Sequence, residues 1–151
     1  MLTNQPRLSR RTRTDAGLAA VLRVAVGRLA RRLRAQRPDA SLSLGQSAVL
    51  YTLARHGQMT PGALAEHEKV QPPSMTRIVT GLQERGLIRR IKHPEDRRQQ
   101  LVSLTDEGRE LVRVDQRRRE AWLAQRLREL APEEKETLRR AAEILERLSQ
   151  S

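Results

Sequence analysis

The residues able to do chemistry in this 151-residue chain are overwhelmingly cationic: 30 Lys+Arg, of which 27 are arginine, stand against 18 Asp+Glu for a formal net charge of +12. Cysteine is absent, which excludes disulfide scaffolds, thiolate metal sites and cysteine nucleophiles. The three histidines, His56, His67 and His93, fall on separate stretches, and His67 between Glu66 and Glu68 reads as a solvated helix end. No paired carboxylates stand beside them at helical spacing, and no glycine-rich phosphate loop occurs. Catalytic residues, a bound metal and a cofactor are therefore not expected, while a metal site involving His56 or His67 stays open as an alternative. What remains is the chemistry of polyanion binding. Ser74, Thr76, Arg77 and Thr80 combine small hydroxyls with one arginine, a set suited to phosphates and base edges in a major groove. Arg97 and Arg98 adjoin Glu95 and Asp96, and paired arginines suit the negative potential of a narrow minor groove, with Asp96 holding a guanidinium in position. The same residues also fit blander readings, a solvated helix face and a charged edge hairpin that blocks aggregation.

The elements that must position these residues follow from periodicity and caps. Leu18, Leu22, Val26, Leu29 and Leu33 recur at steps of four and three, one face of an amphipathic helix ending before Pro38. Ser43 and Gln46 form a capping box for a second helix through Val49, Leu50 and Leu53, stopped by Gly57. Thr60 and Pro61 open a short helix around Leu64 and Ala65. Pro72 and Pro73 fit the first turn of another, whose Met75, Ile78, Val79 and Leu82 face inward and so turn Ser74, Thr76, Arg77 and Thr80 outward. The turn between these two helices places Lys69 where glycine is common, with Val70 as its plug. Beyond Gly86 two short β-forming runs flank a polar tip, predicting a hairpin. Thr105 caps a long helix expected to reach about Leu130, roughly 39 Å. Its middle, DQRRRE, is polar on every side and predicts a solvent-bridging span. Pro132 opens a last helix with the stripe Leu138, Ala141, Leu145 and Leu148.

A short helix, a turn, a second helix and a hairpin make a winged helix-turn-helix, so the fold class expected is mainly α with a small β-hairpin wing, plus a helical dimerisation region. With one Trp, one Tyr and no Phe, the core must be aliphatic, which disfavours a β-sandwich or an aromatic-stacking RNA module. The expected layout is a mobile basic tail over 1–14, a dimerisation helix over 15–42, the DNA-binding domain over 43–105, and the long helix with a second dimerisation helix over 106–151. The terminal stripes are apolar yet flank a unit that closes its own core, so a monomer leaves them exposed and a twofold mate covers them. No apolar run is long enough to span a membrane and no leader is evident, so a cytoplasmic chain without membrane contact is expected.

The run from Asp96 to Thr105 matches the D-x-R-x5-L-T wing signature of the MarR family of bacterial winged-helix regulators. LQERGLIRR (82–90) and LTDEG (104–108) resemble that family's junctions on either side of the wing, and the element order agrees over about residues 15–150. The resemblance implies a homodimer whose first and last helices interleave on a pseudo-palindromic double-stranded operator as a ligand-responsive repressor. It assigns Arg98 the minor-groove role, with Arg97 in a variable position and better suited to a phosphate. It also implies an effector cleft, where Arg23, Arg28 and Arg31 suit a small anionic aromatic ligand such as a phenolic carboxylate. Two other readings stay open: a nonspecific architectural DNA binder, for which arginine content alone suffices, and a basic protein–protein adaptor.

Overall fold

The computed structural model describes residues 10–36 and 41–150. Its elements run α1 (Asp15–Arg34), α2 (Leu44–His56), α3 (Pro61–Glu68), α4 (Pro72–Glu84), β1 (Ile88–Lys92), β2 (Gln100–Leu104), α5 (Asp106–Arg128) and α6 (Pro132–Ser149). Local chemistry sets most of these starts. Ser43 Oγ accepts from the Gln46 N–H at 3.1 Å while Gln46 Oε1 accepts from the Ser43 N–H at 3.0 Å, the reciprocal pair that opens α2. Thr60 accepts from the Ala63 N–H ahead of Pro61, and Thr14 from the Gly17 N–H ahead of α1. The tail expected over 1–14 lies outside the described residues as far as position 9, whereas Arg10 and Arg11 are helical.

Two units divide the chain. Pro38–Arg118 forms one, and its core is the aliphatic one that the composition requires. Leu50, Leu64, Met75, Leu82, Ile88 and Val102 are among its largest fully enclosed side chains, drawn from α2, α3, α4 and both strands. Ala65 is buried where α3 meets its neighbours, and Val70 packs partly against the same cluster. Lys69 adopts the left-handed conformation (φ 52°) that the tight turn demands, and the Val70 N–H donates to Ala65 O at 3.0 Å. The hairpin pairs Ile88 with Leu104 and Lys92 with Gln100 in antiparallel register. A further bridge joins Met59 to Val102, with Val102 N–H to Met59 O at 2.7 Å, so the segment between α2 and α3 adds an edge that one apolar residue between Gly57 and Thr60 does not announce.

The junction of wing and α5 is tight. Thr105 Oγ1 donates to Gly86 O at 2.6 Å and accepts from the Gly108 N–H at 3.1 Å, while the Thr105 N–H donates to Leu87 O. A Cβ on Gly108 would stand 2.1 Å from that same Leu87 carbonyl oxygen, so only glycine lets the helix start this close to the strand.

The second unit comprises Met1–Arg37 and Arg119–Ser151. Neither α1 nor α6 has a buried residue. Leu18, Val26 and Leu29 on α1, and Leu138, Ile144, Leu145 and Leu148 on α6, are exposed. Among the described residues no helix is long and apolar enough to cross a membrane. Two details of α5 differ from expectation. It ends at Arg128, followed by a tightened turn in which Glu129 and Leu130 donate to Arg126 O and Leu127 O. Its polar stretch is not solvated all round either, because Asp115 is only 5% exposed and Arg119 half-buried. The sequence pattern registers charge but not the neighbour that encloses it.

Candidate nucleic-acid interface

Helix α4 divides cleanly by face. Met75, Val79 and Leu82 are buried and Ile78 half-buried, while Ser74, Thr76, Arg77 and Thr80 are exposed, all four on the side turned from the core. Pro72 and Pro73 supply the fixed φ of the first turn but no N–H, so Ser74 is the first residue of α4 with a backbone donor. Two hydroxyls on this face already have partners. Thr76 Oγ1 donates to Pro72 O at 3.0 Å, which leaves its lone pairs free to accept. Thr80 Oγ1 accepts from Arg90 Nη2 at 3.3 Å, which leaves its proton free to donate.

Arg90 is a residue that reading the α4 face alone overlooks. In β1 it lies two residues from buried Ile88, so strand alternation places both on one side of the hairpin. Its guanidinium reaches Thr80, and its Nε is enclosed with no hydrogen-bond partner among the described residues. The period-two pattern from Ile88 was the available signal: a cation on that face must find an acceptor on the helix it meets.

At the wing tip Arg97 and Arg98 are exposed, and backbone contacts shape the loop around them. Asp96 Oδ1 accepts from the Arg98 N–H at 3.0 Å, and Asp96 O accepts from the Gln99 N–H at 3.0 Å. His93 Nδ1 accepts from the N–H groups of Glu95 and Asp96 at 3.1 and 3.3 Å, and the His93 N–H donates to Gln99 O. The expectation that Asp96 holds a guanidinium is therefore corrected: its carboxylate turns the tip by binding backbone, as a short acidic side chain does in an Asx turn. Both guanidinium groups project from a fixed loop with no ion pair to Asp96 among the described residues.

The α1 arginines Arg23, Arg28 and Arg31 are exposed. Within Pro38–Arg118, α2, β2 and α5 enclose an open pocket of about 700 Å³ whose polar lining includes Tyr51, Arg55, Ser103, Arg109 and Arg113. Arg109 is paired with Asp106 at 3.2 Å and Arg113 with Glu110. Arg23, Arg28 and Arg31 are not among the residues lining that pocket.

Comparison with known proteins gives a consistent result. The sequence profile described as MarR family matches residues 42–99. An HTH-type transcriptional regulator of Mycobacterium tuberculosis is 48% identical over 132 residues, covering 87% of this chain and 92% of the relative. The HTH-type transcriptional repressor MdtR of Bacillus subtilis is 34% identical over 106 residues, 70% of this chain and 66% of MdtR. Among solved structures, a candidate transcriptional regulator of Pseudomonas aeruginosa superposes with a TM-score of 0.81 at 32% identity, over 91% of this chain and 96% of that one. A MarR family protein of Bacillus stearothermophilus shares the fold at a TM-score of 0.78 and 22% identity, over 92% and 97% of the two chains.

Proposed function

The chain belongs to the MarR family of DNA-binding winged helix-turn-helix transcriptional regulators, and we propose that it acts as a homodimeric, sequence-specific repressor that seats α4 in the major groove and its wing arginines in the minor groove. The observation that carries this reading is the division of α4, whose core face is spent on Met75, Val79 and Leu82 while Ser74, Thr76, Arg77 and Thr80 stay exposed. Arg77 then reaches phosphate or a guanine edge, Thr76 accepts and Thr80 donates. Arg90 is a positioning residue that holds Thr80 from β1. Arg98 enters the minor groove from a loop that Asp96 has already turned, which lowers the ordering cost on binding. Arg97 contacts phosphate.

Support for the dimer comes from α1 and α6, whose apolar stripes have no buried residue within the chain. A twofold mate removes that exposure. The repressor role follows the name of the MdtR relative. An effector of the anionic aromatic class fits the α2–β2–α5 pocket, where Tyr51 offers a ring face and Arg55, Arg109 and Arg113 offer positive charge. Arg23, Arg28 and Arg31 remain candidates from α1. Sequencing DNA fragments selected by the purified protein from a random pool tests the reading: a twofold motif is expected, and unselective recovery would favour an architectural binder.

A further inference from the structure

Between β1 and β2 the chain turns through residues 93–99, and of these only His93 is half-buried, the rest being exposed. His93 stands before Pro94, which biases its backbone toward the extended region and has no N–H of its own to place. The first amides of the tip that need an acceptor are therefore those of Glu95 and Asp96. Both donate to one atom, His93 Nδ1, at 3.1 and 3.3 Å. The His93 N–H donates across the loop to Gln99 O at 3.1 Å, and the Asp96 carboxylate accepts from the Arg98 N–H. Two side chains, His93 and Asp96, thus hold the amides of Glu95, Asp96 and Arg98 in the turn that carries Arg97 and Arg98. A ring nitrogen accepts only while it carries no proton, so this geometry requires neutral imidazole with its hydrogen on Nε2.

We propose that neutral His93 is the positioning residue of the wing tip, and that a proton on its Nδ1 releases the tip and weakens operator binding. The effect on DNA rests on the wing reading given above; the hold on the loop does not. A proton at Nδ1 turns the shared acceptor into a third donor facing two N–H groups, so ring and loop cannot both keep their places. The charged groups beside the ring are the hairpin's own, Lys92, Glu95, Asp96, Arg97 and Arg98. Among the described residues no ion pair reaches the ring from these, or from Arg77 and Glu84 on α4, the helix packed against β1. Histidine is the side chain that takes up a proton between about pH 8 and pH 5, which sets the working range. The sign runs against simple charge. Another cation on a DNA-binding surface strengthens attraction to phosphate, whereas loss of the turn restores the ordering cost that a preset loop avoids.

The test has one arm without DNA and one with it. In the free full-length protein, imidazole 15N NMR should show His93 with a bare Nδ1 at about pH 7.5, and the amide protection of Glu95 and Asp96 should fall at about pH 5.5. His93→Ala should remove that protection at both pH values. His93→Asn supplies an oxygen acceptor that does not titrate, as in an Asx turn, and should keep the protection at both. In the second arm, wild-type affinity for a selected operator duplex should drop about 10-fold between the same two pH values at fixed salt. His93→Asn should lose the drop, and His93→Ala should bind about 10-fold more weakly throughout. Circular dichroism verifies the fold of each variant. A ring proton on Nδ1 at neutral pH, or protection unaltered by His93→Ala, overturns the hold on the loop. Wild-type binding that changes with pH as His93→Asn does overturns the switch. Arg98→Ala binding as tightly as wild type would instead overturn the wing reading, and the NMR arm would still decide the loop.

Discussion

At the scale of single residues, the proposed role of the wing separates recognition from stability. Arg98 is exposed and its guanidinium makes no structural contact among the described residues, so Arg98→Ala should leave thermal unfolding within about 0.5 kcal/mol of wild type. The same variant should weaken operator binding by about 1–3 kcal/mol. DNA titration and thermal melts on one preparation check both; a sharp fall in melting temperature with intact affinity would make the arginine structural. Asp96→Ala acts differently, since it removes the acceptor of the Arg98 N–H and loosens the tip. It should reduce affinity through a less ordered loop, with the core untouched. Lys69 offers a test of opposite sign. A side chain held at φ 52° costs about 1–2 kcal/mol, against a glycine entropy penalty of about 0.5–1, so Lys69→Gly should stabilise the protein by about 0.5–1 kcal/mol in a denaturant titration.

At the scale of elements, the joint between wing and α5 is the least tolerant. Gly108→Ala drives a methyl against the Leu87 carbonyl, which already accepts from Thr105, so about 1–3 kcal/mol of stability should be lost by equilibrium unfolding. Much of this architecture is legible in the chain because its signals are local. Ser43 with Gln46, Thr60 with Pro61 and Thr105 with Asp106 write three helix starts within four residues each, and the α4 stripe separates core from exposed face without any tertiary knowledge. What is not legible depends on partners distant in sequence. Asp115 looks solvated in a run of charges yet is buried, and Met59 joins the strands through Val102, 43 positions away. Arg90 looks like one more surface cation until the α4 hydroxyl it holds is in view. The carboxylate of Asp96 was legible as a wing organiser, but its target was not, because backbone N–H groups leave no mark in a sequence.

At the scale of the whole molecule, charge and apolar surface have separate tasks. The basic excess attracts any duplex, so salt sensitivity alone distinguishes nothing. In the proposed function, twofold association is what converts attraction into register. Replacing Leu145 and Leu148 together with Asp puts unpaired charge into the proposed interface, and light scattering should then report loss of the dimer. A wild-type protein that is monomeric at micromolar concentration would remove that interface. The most direct measurement of the central claim is affinity for a selected operator beside the same site with five base pairs inserted between its halves. Two α4 helices fixed by one dimer require half-sites about 10 base pairs apart, or a multiple of that, and five extra pairs turn one half-site to the far side of the duplex. Specific affinity should fall at least ~10³-fold, toward the value for random DNA at physiological salt, while the salt slope of the remaining binding persists. Equal affinity for the two sites at fixed ionic strength would contradict the account.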